Sequence, residues 1–159
     1  MEDIQFDLKR LKQLLEMYGE QTLAEMITRL TSNSVRGTHF SNPGVASGSL
    51  RNSLHYGIVE NEDSISTVFS MLGYGTYVDK GRPPGKQPPL KGIKDWCRLK
   101  GIPETAAFPI ARNIGRYGIP ATNFFTIPIK RKKDQLLKDI KNLMTAEVQA
   151  KISKYLNKK

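Results

Sequence analysis

Residues 54–70 read LHYGIVENEDSISTVFS, and they decide the fold class. Leu54 to Val59 and Ser64 to Ser70 alternate well enough to form strands. Ile65, Val68 and Phe69 supply strand-forming side chains, and Glu60-Asn61-Glu62-Asp63 supplies a polar turn between them. This is the signature of a β-hairpin.

Upstream, Ser49 to Ser53 suits a single helical turn. Residues 31–49, TSNSVRGTHFSNPGVASGS, are rich in Ser, Asn and Gly and carry no hydrophobic period. They read as a mobile loop. Residues 1–30 read as one long helix. Ile4, Leu8, Leu11, Leu15, Tyr18 and Thr22 repeat at alternating spacings, and Leu23, Met26, Ile27 and Leu30 continue the stripe. Gly19 weakens its middle, at a cost of about 1 kcal/mol relative to Ala.

Downstream, LGYGTYVDKG is expected to form a short helix or turn carrying Tyr74 and Tyr77. The stretch Tyr77 to Trp96, YVDKGRPPGKQPPLKGIKDW, holds four prolines, three glycines and five basic residues. Its second half opens a short helix marked by Leu90, Ile93, Trp96 and Leu99, with Pro89 near the first turn and Gly101 as the stop. A further helix is expected over roughly 104–117, with Phe108, Ala111, Ile114 and Tyr117 on one side and Gly118 ending it. Pro109 restricts where it can begin. Ala121 to Ile129, ATNFFTIPI, has extended character and suits an edge strand because of Pro128. A last amphipathic helix is expected from about Lys133 to Leu156.

The expected fold is therefore α+β: a small antiparallel sheet with long N- and C-terminal amphipathic helices and short helices between. At 159 residues the chain suits one domain, 1–159, with a mobile loop near 31–49 and a basic Pro/Gly loop near 80–89. No apolar run approaches the roughly 20 residues of a membrane span. The charged start, MEDIQFDLKR, is unlike a signal peptide, so the cytoplasm is the expected place of assembly.

The net charge is +10 and unevenly placed. Residues 79–100 carry seven bases against two acids, and residues 128–159 carry ten against three. Phosphate or an acidic protein surface is the natural partner. The run Lys130-Arg131-Lys132-Lys133 is the densest part. It reads either as the solvated start of a helix, where cations oppose the dipole, or as a contact for phosphate or an acidic neighbour.

Motifs for catalysis fail on inspection. GRPPGK, 81–86, has three residues between its glycines where a phosphate-binding loop needs four. Gln87 stands where that motif needs Ser or Thr. Prolines 83, 84, 88 and 89 never fall three apart, so no P-x-x-P ligand exists. Cys97, the one cysteine, reads as a buried structural thiol, and with His39 and His55 it forms no metal-ligand spacing. Asp79 and Asp95 read as charge balance among lysines rather than as a catalytic pair. No enzyme, cofactor or metal is expected.

Four pieces carry a resemblance: SGSLRNSL, GYGTYVDKGRPPGKQPP, IKDWCRLKGI and FPIARNIGRYGIPATNFF, in that order between about 47 and 126. In order and spacing they resemble the tail-completion, or head–tail joining, proteins of tailed bacteriophages. The resemblance covers about half the chain. It implies a virion structural protein assembling into a six- or twelve-fold ring at the neck or tail end and keeping the DNA exit channel continuous. Its neighbours would be other neck, portal-adaptor or tail-tube proteins, with non-specific contact to genomic DNA and no membrane. It implies a surface loop shaped by Tyr74, Tyr77, Gly81, Arg82, Pro83, Pro84 and Gly85. With Lys80 and Lys86 this loop would serve as a subunit or partner interface. It also places Trp96, Phe108, Ile114 and Phe124 in the core. Arg82→Glu is then expected to leave folding within about 0.5 kcal/mol while impairing assembly. The alternative reading is a basic nucleic-acid-binding protein of another kind; a host-directed or regulatory phage product is a third.

Overall fold

The computed structural model describes residues 8–32 and 48–157. Most of the stretch read above as a mobile loop, and Ile4 of the first stripe, lie outside the described residues. The elements run in the order α1 (Leu8–Thr31), α2 (Ser49–Ser53), β1 (His55–Glu60), β2 (Ile65–Ser70), α3 (Gly75–Lys80), α4 (Leu90–Leu99), a 3-10 turn (Glu104–Ala106), α5 (Ala107–Tyr117) and α6 (Thr126–Leu156). The fold is a small α+β structure with a long helix at either end and one two-stranded antiparallel sheet among the described residues.

The hairpin forms where the alternation predicts it. Tyr56 pairs with Phe69 and Ile58 with Thr67, and the Asn61 N–H donates to the Ser64 carbonyl at 2.8 Å to close the turn. A hairpin alone is marginal in water, so one face needs a cover. Helix α1 provides it with a buried line of Leu15, Gly19, Thr22, Met26 and Leu30. Tyr56 lies against Gly19, where any Cβ would run into its ring. The glycine expected to weaken α1 is thus the seat of the sheet. Tyr18 and Phe69 meet edge to face at 5.8 Å. The other face, with Val59 and Val68, stays exposed.

The core gathers Met26 and Leu30 of α1, Leu50 and Leu54 around α2, and Phe124 before α6. Each such side chain contributes about 1.5–3 kcal/mol when buried. Val78, Phe125 and Ile129 pack against this cluster. A second, smaller unit is built by α4, the 3-10 turn and α5. Cys97 is fully buried there, as the sequence predicts, beside the buried apolar stripe of Ala107, Ala111 and Ile114. Arg98 holds the unit at its surface, donating to Asp95 at 2.9 Å and to Glu104 at 2.7 Å. Its hydrogen bond and charge hold the Glu104 carboxyl below its ordinary value. Gly101, at φ 66°, ends α4 as expected.

Three expectations fail. Residues 121–129 form no strand: they turn at Phe124 and Phe125 and enter α6 at Thr126, seven residues before the predicted start. Pro128 falls in the first helical turn, where its missing N–H has no intrahelical partner to lose. Phe108 is 57% exposed, because α5 begins at Ala107 and turns the apolar stripe inward instead. Trp96 is only half-buried, while Ile114 and Phe124 are core residues as expected.

Candidate functional site, a basic loop held against a helix end

The Pro/Gly loop is bound along its length to a segment some thirty residues downstream. Arg82 and Ile119 exchange backbone hydrogen bonds, each 2.8 Å, in an isolated antiparallel bridge. Three residues on, the Gly85 N–H donates to the Gly115 carbonyl at 2.8 Å. Gly81 and Gly118 flank the bridge with nearly identical backbones, φ 72° with ψ −164° and −162°. That region is essentially open to glycine alone. A Cβ on Gly81 would strike the Ile119 carbonyl, and one on Gly118 the Arg82 carbonyl. The two glycines let two chain segments pass at backbone contact.

Arg82 completes the loop rather than projecting from it. The residue is half-buried, and its guanidinium donates to the Lys86 carbonyl at 2.6 Å. Its substitution should therefore be felt by the fold, contrary to the expectation for a free surface charge. Lys80, Pro83, Pro84 and Lys86 are exposed around it. On the preceding helix, Tyr74 is 47% and Tyr77 76% exposed, so both rings stand clear of the core.

Asp79 plays a part that its surroundings in the sequence concealed. It is 3% exposed. Its carboxylate accepts the N–H of Phe125 at 2.8 Å, the N–H of Thr126 at 3.2 Å and the Thr126 hydroxyl. Its own carbonyl accepts the N–H of Asn123 at 3.0 Å. A carboxylate at a helix N-terminus satisfies orphan donors and complements the dipole. Asp79 thus caps α6 from 46 residues upstream. Asp95 is engaged elsewhere, on Arg98. No local motif could have revealed the cap, because donor and acceptor lie far apart in the chain.

The run Lys130–Lys133 falls in the second turn of α6, beyond the end that cations would disfavour. It divides by function. Arg131 approaches Glu25 at 3.5 Å and Lys132 donates to Gln21 at 3.2 Å, fastening α6 to α1. Lys130 and Lys133 are exposed, with no ion pair among the described residues. The loop and the run are therefore separate features, linked through the Asp79 cap and the Thr122–Val78 hydrogen bond beside it.

No protein-family model matches this chain, and no curated protein or solved structure matches it. Among the described residues no helix is long and apolar enough to cross a membrane.

Proposed function

We propose that this chain is a structural subunit that completes its surfaces by assembly, and specifically a ring-forming protein of the neck or tail end of a tailed bacteriophage. One observation carries the reading. Three of the four stretches that resemble that family meet around the start of α6, while the fourth, IKDWCRLKGI, forms α4 and packs on α5. Leu50 and Leu54, from and beside SLRNS, pack with Phe124. Asp79, in GYGTYVDKG, caps the helix that Phe125 and Thr126 open. The proline loop is bridged to Gly115 and Ile119 within ARNIGRYGIP. A sequence pattern whose parts support one another in space behaves as one inherited module. The tied loop, presenting Lys80, Pro83, Pro84 and Lys86 beside Tyr74 and Tyr77, suits a rigid docking element, because little ordering remains to be done when it is covered. In a ring its charge repeats with every copy, so a modest basic surface becomes a strong field.

Purified virions test this directly. Mass spectrometry should find the chain in particles, and electron microscopy should place it as a ring at the neck or tail end. Its absence from purified particles would reject the reading.

A further inference from the structure

The strongest unassigned feature is a cationic face on the α4–α5 side of the molecule, distinct from the Lys130–Lys133 run. No acid occurs between Lys80 and Lys94, and none between Thr105 and Lys133. The backbone bridge lays these two acid-free segments side by side. The acids that bound them are occupied: Asp79 by the start of α6, Asp95 and Glu104 by Arg98.

On α5, Phe108, Arg112 and Arg116 recur every four residues and are all exposed. That spacing keeps them within about 80° of one another around the helix. Gly115, where the proline loop lands, lies about 60° round from Arg112. Lys86 sits between Gly85, bonded to Gly115, and Gln87, packed over Gly115. Lys86 therefore runs along the edge of the same arginine-bearing face. Lys86, Arg112 and Arg116 make no ion pair among the described residues.

We propose that Lys86, Arg112 and Arg116, with Phe108 at their margin, form a nucleic-acid-binding face that tracks a phosphate backbone. An uninterrupted cationic strip suits a polymer that repeats its charge along its length. Planar guanidinium groups match phosphate bidentately. An exposed ring beside them offers a stacking surface for bases. A sequence pI near 9.8, with basic residues clustered rather than evenly spread along the chain, is in keeping with such proteins. The inference is independent of the ring reading, because it predicts binding by the isolated full chain.

Fluorescence anisotropy with a labelled single strand and the matching duplex, titrated across salt, tests it. Binding should appear at low salt and weaken steeply. Arg112→Gln with Arg116→Gln should weaken it at least about tenfold and flatten the log–log salt slope by roughly 1.4 for a single strand or 1.8 for duplex. Lys138→Gln with Lys141→Gln, an equal charge loss elsewhere on the surface, should change affinity by less than about threefold. Unchanged circular-dichroism melting secures that each variant is folded. Phe108→Ala tests the ring: loss confined to the single strand assigns stacking, and equal retention of both forms assigns binding to phosphate contacts alone. No binding to either form at low salt would overturn the proposal. So would an equal loss from the Lys138/Lys141 control. Binding of polyglutamate alone, abolished by the same arginine changes, would reassign the face to an acidic protein.

Discussion

The two basic regions of this molecule are built on opposite terms. Around the proline loop, polar groups find partners within the chain. Arg82 holds Lys86, the Arg82–Ile119 bridge closes the backbone, and Asp79 caps α6. Along α6 beyond the basic run, one face (Leu136, Ile140, Leu143) is half-buried, while Leu137, Met144, Val148 and Ile152 form an exposed apolar stripe about a quarter-turn away. The loop is finished by intramolecular bonds; the stripe has nothing described against it. Positive charge therefore says little by itself about a region's role. What matters is whether the backbone beneath it is already committed.

Substitutions should separate the two regions by size of effect. The largest belongs to Gly118→Ala. It forces a side chain into a glycine-only conformation and into the Arg82 carbonyl, so urea unfolding should lose about 3 kcal/mol. A loss under about 1 kcal/mol would break the claim that the two segments pass at backbone contact. Asp79→Ala should follow, costing about 2 kcal/mol, because the buried N–H groups of Phe125 and Thr126 lose their acceptor. Hydrogen exchange should then quicken at the first turn of α6. Arg82→Gln should cost about 1 kcal/mol by releasing the Lys86 carbonyl. An unchanged melting temperature there would mean that the backbone bridge alone holds the loop. The smallest effect is expected in the distal region. Val148→Gln with Ile152→Gln should shift monomer stability by no more than about 0.5 kcal/mol. The same pair should lower assembly measured by sedimentation, and a clear fall in monomer stability instead would place the stripe inside the fold.

Much of the fold was legible because its signals are local. The hairpin followed from alternation between Leu54 and Ser70; the first strand is shifted one residue later, and the second starts one residue later but ends at Ser70 as expected. Helix α4 followed from the spacing of its apolar residues and from Gly101. The errors share one cause. ATNFFTIPI looked extended because Phe, Thr and Ile favour strands, yet a carboxylate from α3 caps a helix that begins there. Phe108 looked inward because it is large and apolar, but the Ala107–Ala111–Ile114 stripe packs more closely and the ring was left outside. The site was partly legible: composition marked the loop as stiff and basic. That it is fastened to Gly115 and Ile119 was invisible, because pairing at that separation leaves no trace in a single sequence.

The Asp79 cap has a consequence for reach. Helix α6 has 31 residues and is about 46 Å long. Its root is fixed by bonds to the residue just before Lys80, so the loop and the helix share one pivot. A tilt of about 5° at that pivot would carry the far tip sideways by about 4 Å over this length. That is enough to move an apolar side chain out of register with whatever it meets. A single carboxylate thus acts as the bearing that aims a long lever, and the lever's target is sensitive to a bond made at its opposite end.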